Sequence, residues 1–353
     1  VDLPRINYDA NGENGSLLLE PSRANLITQS EYFGDWSTFR SSVSANDATS
    51  PEGLTNAYKL IQESGQTSSG GLFKGVTTID ATTYTYTFFA KEAGYGWCFA
   101  RLMGGANNYY AWFDLSNGIK GNVTNGATSA IEPYGNDWYR CSITFANSGT
   151  LAIPHIYIAE ANSSTVVSNP DGVKGINIYG AMIESGSYVS SYIPTTGTSE
   201  TRAADVSSIS ELQTSSILNG TKGTFLFEGI KKRDWYFTNF VITTDGSNTN
   251  KSLLIDNSGS AIRLRAWDAS SSIDATIITS AVSNGTFKYL IRWDNGNLKV
   301  FINGVSAGTA SINAYSYTTL NLKEGSWSNN SLKQLIGFNE ALTDAECVTL
   351  TTL

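Results

Sequence analysis

Charge is what this chain has least of. Asp, Glu, Lys and Arg make up 15% of its 353 residues, against 41% hydrophobic residues. Ser, Thr, Asn and Gly fill the difference, a mix expected of a β-rich extracellular protein rather than a helical cytosolic enzyme. The formal charge sums to −8, and the longest run of one sign is Lys231-Lys232-Arg233. A nucleic acid selects a basic face and an anionic membrane a polybasic segment, so neither is expected as a partner. No apolar run reaches the roughly 18 residues of a spanning helix, so no membrane insertion is expected. Val1 is followed by no charged-then-apolar leader, the pattern of a chain that begins inside a longer polypeptide or after processing.

Histidine and cysteine are nearly absent too. The single histidine, His155, sits in Pro154-His155-Ile156-Tyr157-Ile158 and alternates like a strand residue, which reads as structural. With one histidine and no Gly-x-Ser-x-Gly elbow, a Ser-His-Asp hydrolase is unsupported. Phosphate-loop, dinucleotide and zinc motifs are missing. Cys98, Cys141 and Cys347 lie far apart, without metal spacing. Cys98 and Cys141 fall in strand-like runs and read as buried free thiols, with a disulfide between them as the alternative.

What is present is alternation with a period of two. Tyr84, Tyr86 and Phe88 alternate with Thr85 and Thr87; Tyr139, Cys141, Ile143 and Phe145 with Arg140, Ser142 and Thr144. Ile262, Leu264 and Ala266 alternate with Arg263, Arg265 and Trp267; Leu298, Val300 and Ile302 with Lys299, Phe301 and Asn303. Asn117-Gly118, Asn125-Gly126, Asp245-Gly246, Asn295-Gly296 and Asn303-Gly304 punctuate these runs. Short, evenly spaced strands with Asn-Gly turns predict sandwiches or barrels. A Ser-rich stretch over 207–221 reads as a linker with one short helical turn near Ser210–Gln213. The expected organisation is a lead-in over 1–24, packed on the first sandwich or a neighbouring chain, a first domain over 25–205, a linker over 206–222 and a second domain over 223–353.

Two segments bracket the first domain: PRINYDANGENGSLLLEPSRANLITQSEYF from Pro4 to Phe33, and YIPTTGTSETRAAD from Tyr192 to Asp205. Together they resemble the frame around the jelly-roll domain of many phage virion and tail-fibre proteins. The second domain opens on Gly223-Thr224-Phe225-Leu226-Phe227-Glu228, centres on the Phe287–Gly304 hairpin and closes on Leu335–Glu346. That order resembles a laminin-G or concanavalin-A-like lectin sandwich. Thr343 and Glu346 also make a capping box, which marks a short terminal helix and gives those side chains a structural task. The resemblance implies an all-β chain of two β-sandwich domains, a carbohydrate-binding-like jelly roll followed by the lectin-like sandwich. It implies a non-enzymatic tail- or head-fibre protein on the virion surface, commonly a homotrimer, with host cell-surface glycan and other virion proteins as partners. No cofactor is required, although such sandwiches often hold a structural Ca²⁺ on carboxylate and carbonyl oxygens. The alternatives are a glycan-degrading enzyme or its carbohydrate-binding module, and a structural decoration protein without ligand.

Glycoside hydrolysis needs only two carboxylates. The Glu-x-Asp-x-x-Glu pattern typical of concanavalin-A-like hydrolases is missing, so no catalytic residue is expected. Glu132 with Asp137 and Asp256 with Asp268 are the pairs that sequence leaves open. Aromatic residues, at 12% with 8 Trp and 18 Tyr, carry the stronger signal. Residues 97–115 read as a hairpin with a five-residue loop over 104–108, pairing Met103 with Tyr109. Trp97, Phe99, Met103, Tyr109, Phe113 and Leu115 then form a core face, with Arg101 as the exception. Tyr110, Trp112 and Asp114 stand beside Cys98, Ala100 and Leu102 as a ledge for a sugar ring, with Trp138 and Arg140 close by. Trp138 covering a sheet edge is the plainer reading, and a one-residue slip would exchange the faces. In the second domain Arg263, Arg265 and Trp267 share one face, and Trp235-Tyr236 and Trp327 sit in loops. Glycan or protein contact suits them, and so does packing between subunits or between domains.

Overall fold

Alternating side chains need two partners, a core on one face and water or a second layer on the other, and stacked sheets supply both. The computed structural model of this chain is all-β with one terminal helix. It describes residues 6–7, 16–17, 20–205, 207–209, 221–231, 238–243, 251–258, 261–270, 273–283, 285–315, 317, 319–322 and 330–353. The chain divides into two units, Arg23–Arg202, and Val1–Ser22 with Ala203–Leu353.

The first unit is a sandwich of two antiparallel sheets. Sheet I runs, in spatial order, Ile119–Val123, Asn107–Asp114, Trp97–Gly104, Leu151–Ala159, Gly71–Phe73 and Ser37–Phe39. Sheet II runs Thr128–Pro133, Tyr139–Ala146, Thr83–Ala93, Gly175–Ser185, Thr55–Gln62 and Ser41–Thr49. Between them lie Tyr84, Tyr86, Phe88, Cys141, Ile143 and Phe145 from the expected runs, with Leu60, Leu102, Phe113, Ile156 and Ile178. Each such side chain contributes roughly 1.5–3 kcal/mol on burial. Cys98 and Cys141 are buried free thiols in this core.

The second unit repeats the principle. Lys222–Lys231, Gly285–Asp294, Asn297–Ile302, Val305–Ser311 and Asn330–Phe338 form one sheet. Thr238–Thr243, Ser252–Ser258, Ala261–Trp267, Ile273–Ala281 and Thr319–Leu322 form the other. Ile262, Leu264, Ala266, Leu298, Val300 and Ile302 fill the space between, as the alternation requires. Asn295 and Gly296, at φ of 45° and 86°, make the tight turn of the central hairpin, whose register pairs Asp294 with Asn297. Helix Asp344–Thr351 begins at the expected Thr343–Glu346 capping box. It covers the outer face of the first of these sheets through Cys347 and Leu350, over Leu226, Leu290 and Phe301.

The lead-in behaves differently from expectation. Ile6–Asn7 pairs with Ser16–Leu17, and Leu17 pairs with Leu332 in the second unit's sheet. Ser16–Leu17 thereby covers part of the edge of the Asn330–Phe338 strand, whose backbone groups would otherwise lack a ladder partner there. The expected linker also contributes a strand, Ser207–Ile209, paired with Thr319–Leu322. The helical turn expected at Ser210–Gln213 and the Asp245-Gly246 turn lie outside the described residues.

Candidate functional site

The bracketing motifs turn out to tie the ends of the first unit together. Arg23–Asn25 pairs with Glu200–Arg202. Asn25 is fully buried and uses every polar atom of its amide: Nδ2 donates to the carbonyls of Ala181 (3.1 Å) and Ile193 (2.8 Å), and Oδ1 accepts from the amides of Ile27 (3.1 Å) and Ile183 (3.2 Å). Thr195 and Ser30 interlock beside it, the Thr195 amide donating to Ser30 Oγ at 2.8 Å and Thr195 Oγ1 to the Ile27 carbonyl at 2.6 Å. Glu184 is buried, with Arg23 Nε 3.4 Å away and Ser190 donating from its amide (2.8 Å) and its hydroxyl (2.6 Å). Burial holds the Glu184 carboxyl above its usual range, against the lowering pull of Ser190, Arg140 and Arg23. These motif residues have a structural task.

The ledge hairpin is real, but its register is one residue away from the expected one. Gly104 pairs with Asn107, Leu102 with Tyr109, Arg101 with Tyr110, Phe99 with Trp112 and Trp97 with Asp114. The turn is therefore the two residues Gly105-Ala106. On the Asn107–Asp114 strand the faces are as expected: Tyr109 and Phe113 point to the core, and Tyr110, Trp112 and Asp114 point out. On the Trp97–Gly104 strand they are exchanged. Cys98, Ala100 and Leu102 enter the core, and Phe99 and Arg101 stand outside beside Trp112 and Tyr110.

That outer face is an aromatic ladder across four strands. Phe73 stacks on His155 at 5.0 Å between centroids, His155 on Tyr157 at 5.5 Å and Tyr157 on Phe99 at 4.5 Å and 2° between planes. Phe99 stacks on Trp112 at 5.3 Å, and Trp112 on Tyr110 at 5.7 Å. Arg101 closes the end, 5.7 Å over the Tyr110 ring, with Nη2 donating to Asn108 Oδ1 at 3.0 Å. A Cβ on Gly71 would lie 2.7 Å from the Tyr157 ring, so the bare glycine makes room for it. Stacked rings spend their faces on one another, which leaves little for a sugar to cover. Trp112 is 6% exposed and donates Nε1–H to the Ser164 carbonyl at 3.0 Å. Asp114 accepts from the amides of Ser116 (3.0 Å) and Asn117 (3.1 Å), so its carboxylate builds the following turn. Both side chains belong to the scaffold.

His155 is structural, as read from sequence. Its Nδ1 lies 2.9 Å from the Ile153 carbonyl. Burial, reinforced by the charge of Arg101, lowers its pKa from 6.5 to about 4, against the pull of the Ile153 carbonyl. The unfolded chain takes up this proton near pH 6.5 and the folded chain does not. Stability present above that pH should therefore fall as pH drops towards 4, by up to about 3 kcal/mol from this group. Glu184 acts with the opposite sign, its raised pKa favouring the fold as pH falls. Urea unfolding from pH 7 to pH 4 should show a shallower acid loss in His155→Gln than in the wild type; equal slopes would contradict this.

Trp138 and Arg140 lie in the other sheet, so the expected five-residue constellation does not assemble. They join a second aromatic group on the outer face of sheet II. Phe89 is its centre. Tyr134 meets Phe89 edge-on at 4.7 Å and Tyr192 does so at 5.8 Å, while Tyr179 tilts against it at 6.2 Å. Trp138, Ala57 and Tyr179 pack around it, and Arg140 lies 5.5 Å over its ring. Trp138 Nε1–H donates to the Thr49 carbonyl at 3.0 Å, which makes it floor rather than ledge. Tyr134, in contrast, is 51% exposed. Two carboxylates stand beside these rings. Glu31 accepts from the Tyr192 hydroxyl at 3.2 Å, and Glu52 from the Asn56 amide at 2.8 Å. Tyr179 is 3% exposed; its hydroxyl is buried and lies near Glu52 and Glu31 without meeting either at hydrogen-bonding geometry. Burial first, and then these two carboxylates, push the Tyr179 phenol far above its ordinary range. Asn56 Oδ1 is likewise buried without a partner. The sequence reading named Trp138 and Arg140 but none of the other members of this group, which come from widely separated segments. Further signals were Tyr192, at the head of the exit motif, and the Glu31-Tyr32 pair at the end of the opening one.

In the second unit Arg263, Arg265 and Trp267 share the outward face of their strand, half-buried, as the alternation predicts. Arg265 lies 5.6 Å over the Trp267 ring. Of the acids that sequence leaves open, Glu132, Asp137 and Asp268 are turn and surface groups. Asp137 is exposed and pairs with Lys91 Nζ at 3.3 Å, and Asp268 Oδ1 accepts from the Ser270 amide at 2.8 Å. Trp235, Tyr236, Trp327 and the Asp256 side chain lie outside the described residues. Among the described residues there is no group of three His, Cys, Asp or Glu placed to hold a metal ion.

No family model matches this chain, and no curated protein matches it. Similar solved structures include the Ruminococcus gnavus IT-sialidase CBM40 bound to α2,3 sialyllactose, 12% identical over 40% of this chain and 86% of that one, with a TM-score of 0.32. Domain 4 of AbnA, a GH43 extracellular arabinanase from Geobacillus stearothermophilus, in complex with arabinotriose, is 13% identical over 44% of this chain and 73% of that one, with a TM-score of 0.29. Mouse laminin α1 chain domains LG4-5 are 8% identical over 79% of this chain and 89% of that one, with a TM-score of 0.26. Likenesses this slight leave the functional argument to the side chains.

Proposed function

We propose that this protein binds host cell-surface glycan without cleaving it, as a fibre or other surface component of a phage virion. The observation that carries the glycan reading is the sheet II patch: an exposed Tyr134 over a floor of Phe89, Tyr179 and Trp138, flanked by Glu31 and Glu52. Sugars offer an apolar ring face for stacking and hydroxyls for carboxylates, and this patch presents both kinds of partner side by side. The virion setting rests on the paired motifs at 4–33 and 192–205 alone. Trimeric assembly, with other virion proteins as neighbours, belongs to the same proposal. No cofactor is part of it, and a structural Ca²⁺ is compatible with it.

Glu31 and Glu52 also favour a second reading, a glycan hydrolase, since two carboxylates near one site are the minimum that chemistry needs. Binding is preferred because Tyr192 and Asn56 already hold the two carboxylates as hydrogen-bond acceptors. Incubation with host surface polysaccharide decides between the readings. The proposal expects the protein to stay on host cells, periodate oxidation of the cells to abolish retention, and reducing ends not to accumulate. Reducing ends that disappear in Glu31→Gln or Glu52→Gln would establish the hydrolase instead.

A further inference from the structure

We infer that the sheet II patch selects an uncharged, hydroxyl-rich glycan and rejects sialylated or uronic-acid glycans, an inference that rests on the glycan-binding reading above. Three observations carry it. The first is charge: two carboxylates, Glu31 and Glu52, stand beside the patch floor, Glu31 accepting from the Tyr192 hydroxyl at 3.2 Å and both close to Tyr179. The second is how two cations of this face are engaged. Arg140 is 7% exposed and lies over Phe89, and Lys91 is tied to the Asn136 carbonyl and the Asp137 carboxylate. An anionic sugar would bring its charge to two carboxylates with Arg140 and Lys91 already engaged, leaving Lys59, on the same face as Ala57, to meet it, and like charges in a partly desolvated site are strongly disfavoured.

The third observation is the hydrogen-bonding complement. A buried phenol donor, Tyr179 Oη–H, and a buried amide acceptor, Asn56 Oδ1, are both left without partners, and both flank Glu52. Buried polar groups are nearly always paired, and the exceptions call for an explanation. A metal ion would use the oxygen acceptors and leave the phenol proton unmatched. A sugar hydroxyl donates and accepts at once, so adjacent hydroxyls of one ring meet the carboxylates and, once the exposed Glu52 side chain swings away from these two buried atoms, Asn56 Oδ1 and the Tyr179 proton as well. The same ring then offers its apolar face to Tyr134.

Tyr179→Phe tests this directly, because its hydroxyl makes no hydrogen bond that holds the fold. The full chain is applied to an array of neutral oligosaccharides (gluco-, manno- and galacto-configured, with and without N-acetyl groups) and acidic ones (sialyllactose, oligogalacturonate). Binding to at least one neutral member is expected, with none to the acidic set. Tyr179→Phe should melt at or above the wild-type temperature yet bind about tenfold more weakly. The Glu31→Gln/Glu52→Gln double variant should lose neutral binding by a similar or larger factor. Binding confined to acidic glycans would overturn the inference while leaving the glycan-binding reading intact. Neutral binding unchanged in both variants would move the site elsewhere, and binding abolished by EDTA and restored by Ca²⁺ would assign the carboxylates to a cation. Silence on the whole array together with no retention on host cells would remove both the inference and the reading beneath it.

Discussion

Asn25→Asp should destabilise the first unit by about 3 kcal/mol or more, although it replaces one nitrogen by one oxygen. Asn25 Nδ2 donates to two buried carbonyls, of Ala181 and Ile193. An aspartate at that position has no donor when ionised. It would set a buried charge against two carbonyl oxygens and leave both unsatisfied, each at roughly 1–3 kcal/mol. The loss should shrink at low pH, where a protonated carboxyl regains one donor. Chemical denaturation of wild type and variant at pH 7 and pH 4 provides the measurement. A difference under about 1 kcal/mol at pH 7 would show that the buckle joining the ends of this unit contributes little to its stability. The effect is expected in stability alone, since Asn25 is fully buried and spends every polar atom on backbone.

Trp112→Ala should cost about 3–5 kcal/mol of folding stability, the range for deleting a large aromatic from a packed site. The indole stacks on Phe99 and Tyr110 and holds the Ser164 carbonyl. Removing it breaks the ladder in the middle and releases the 160–168 loop from its anchor. Glycan binding per folded molecule should be unchanged, because the sheet I rings are stacked on each other and the proposed site is on sheet II. A variant that melts like the wild type but no longer binds glycan would restore Trp112 as a ligand platform.

Much of the fold was legible because burial on one face imposes alternation. The Tyr84-Tyr86-Phe88, Cys141-Ile143-Phe145, Ile262-Leu264-Ala266 and Leu298-Val300-Ile302 runs all enter cores. The capping box was legible because its two residues are neighbours in sequence. The ledge failed for a related reason. On the Asn107–Asp114 strand, Tyr109 and Phe113 fixed the inner face correctly. On the Trp97–Gly104 strand both faces are apolar: Cys98, Ala100 and Leu102 look no more like core than Trp97, Phe99 and Met103. Hydrophobicity then cannot choose a register, and the two-residue Gly105-Ala106 turn set it one residue away. Reading large aromatics as core and small residues as surface inverts this strand. In fact the small residues admit close sheet packing, and the aromatics build a second layer outside. The sheet II patch was illegible for a different reason. Glu31, Glu52, Tyr134, Tyr179 and Tyr192 share no spacing, and only the sandwich brings them together.

The sheet II patch is proposed to bind glycan through Tyr134, and equilibrium binding of Tyr134→Ala to an array of bacterial surface glycans is the decisive measurement. Tyr134 is half-exposed, so the substitution should leave the melting temperature close to that of the wild type. Clear wild-type binding is expected, with a loss of about 2 kcal/mol or more in the variant, the scale of an aromatic anchor. Wild-type and Tyr134→Ala proteins that bind the same glycans with equal affinity would contradict it.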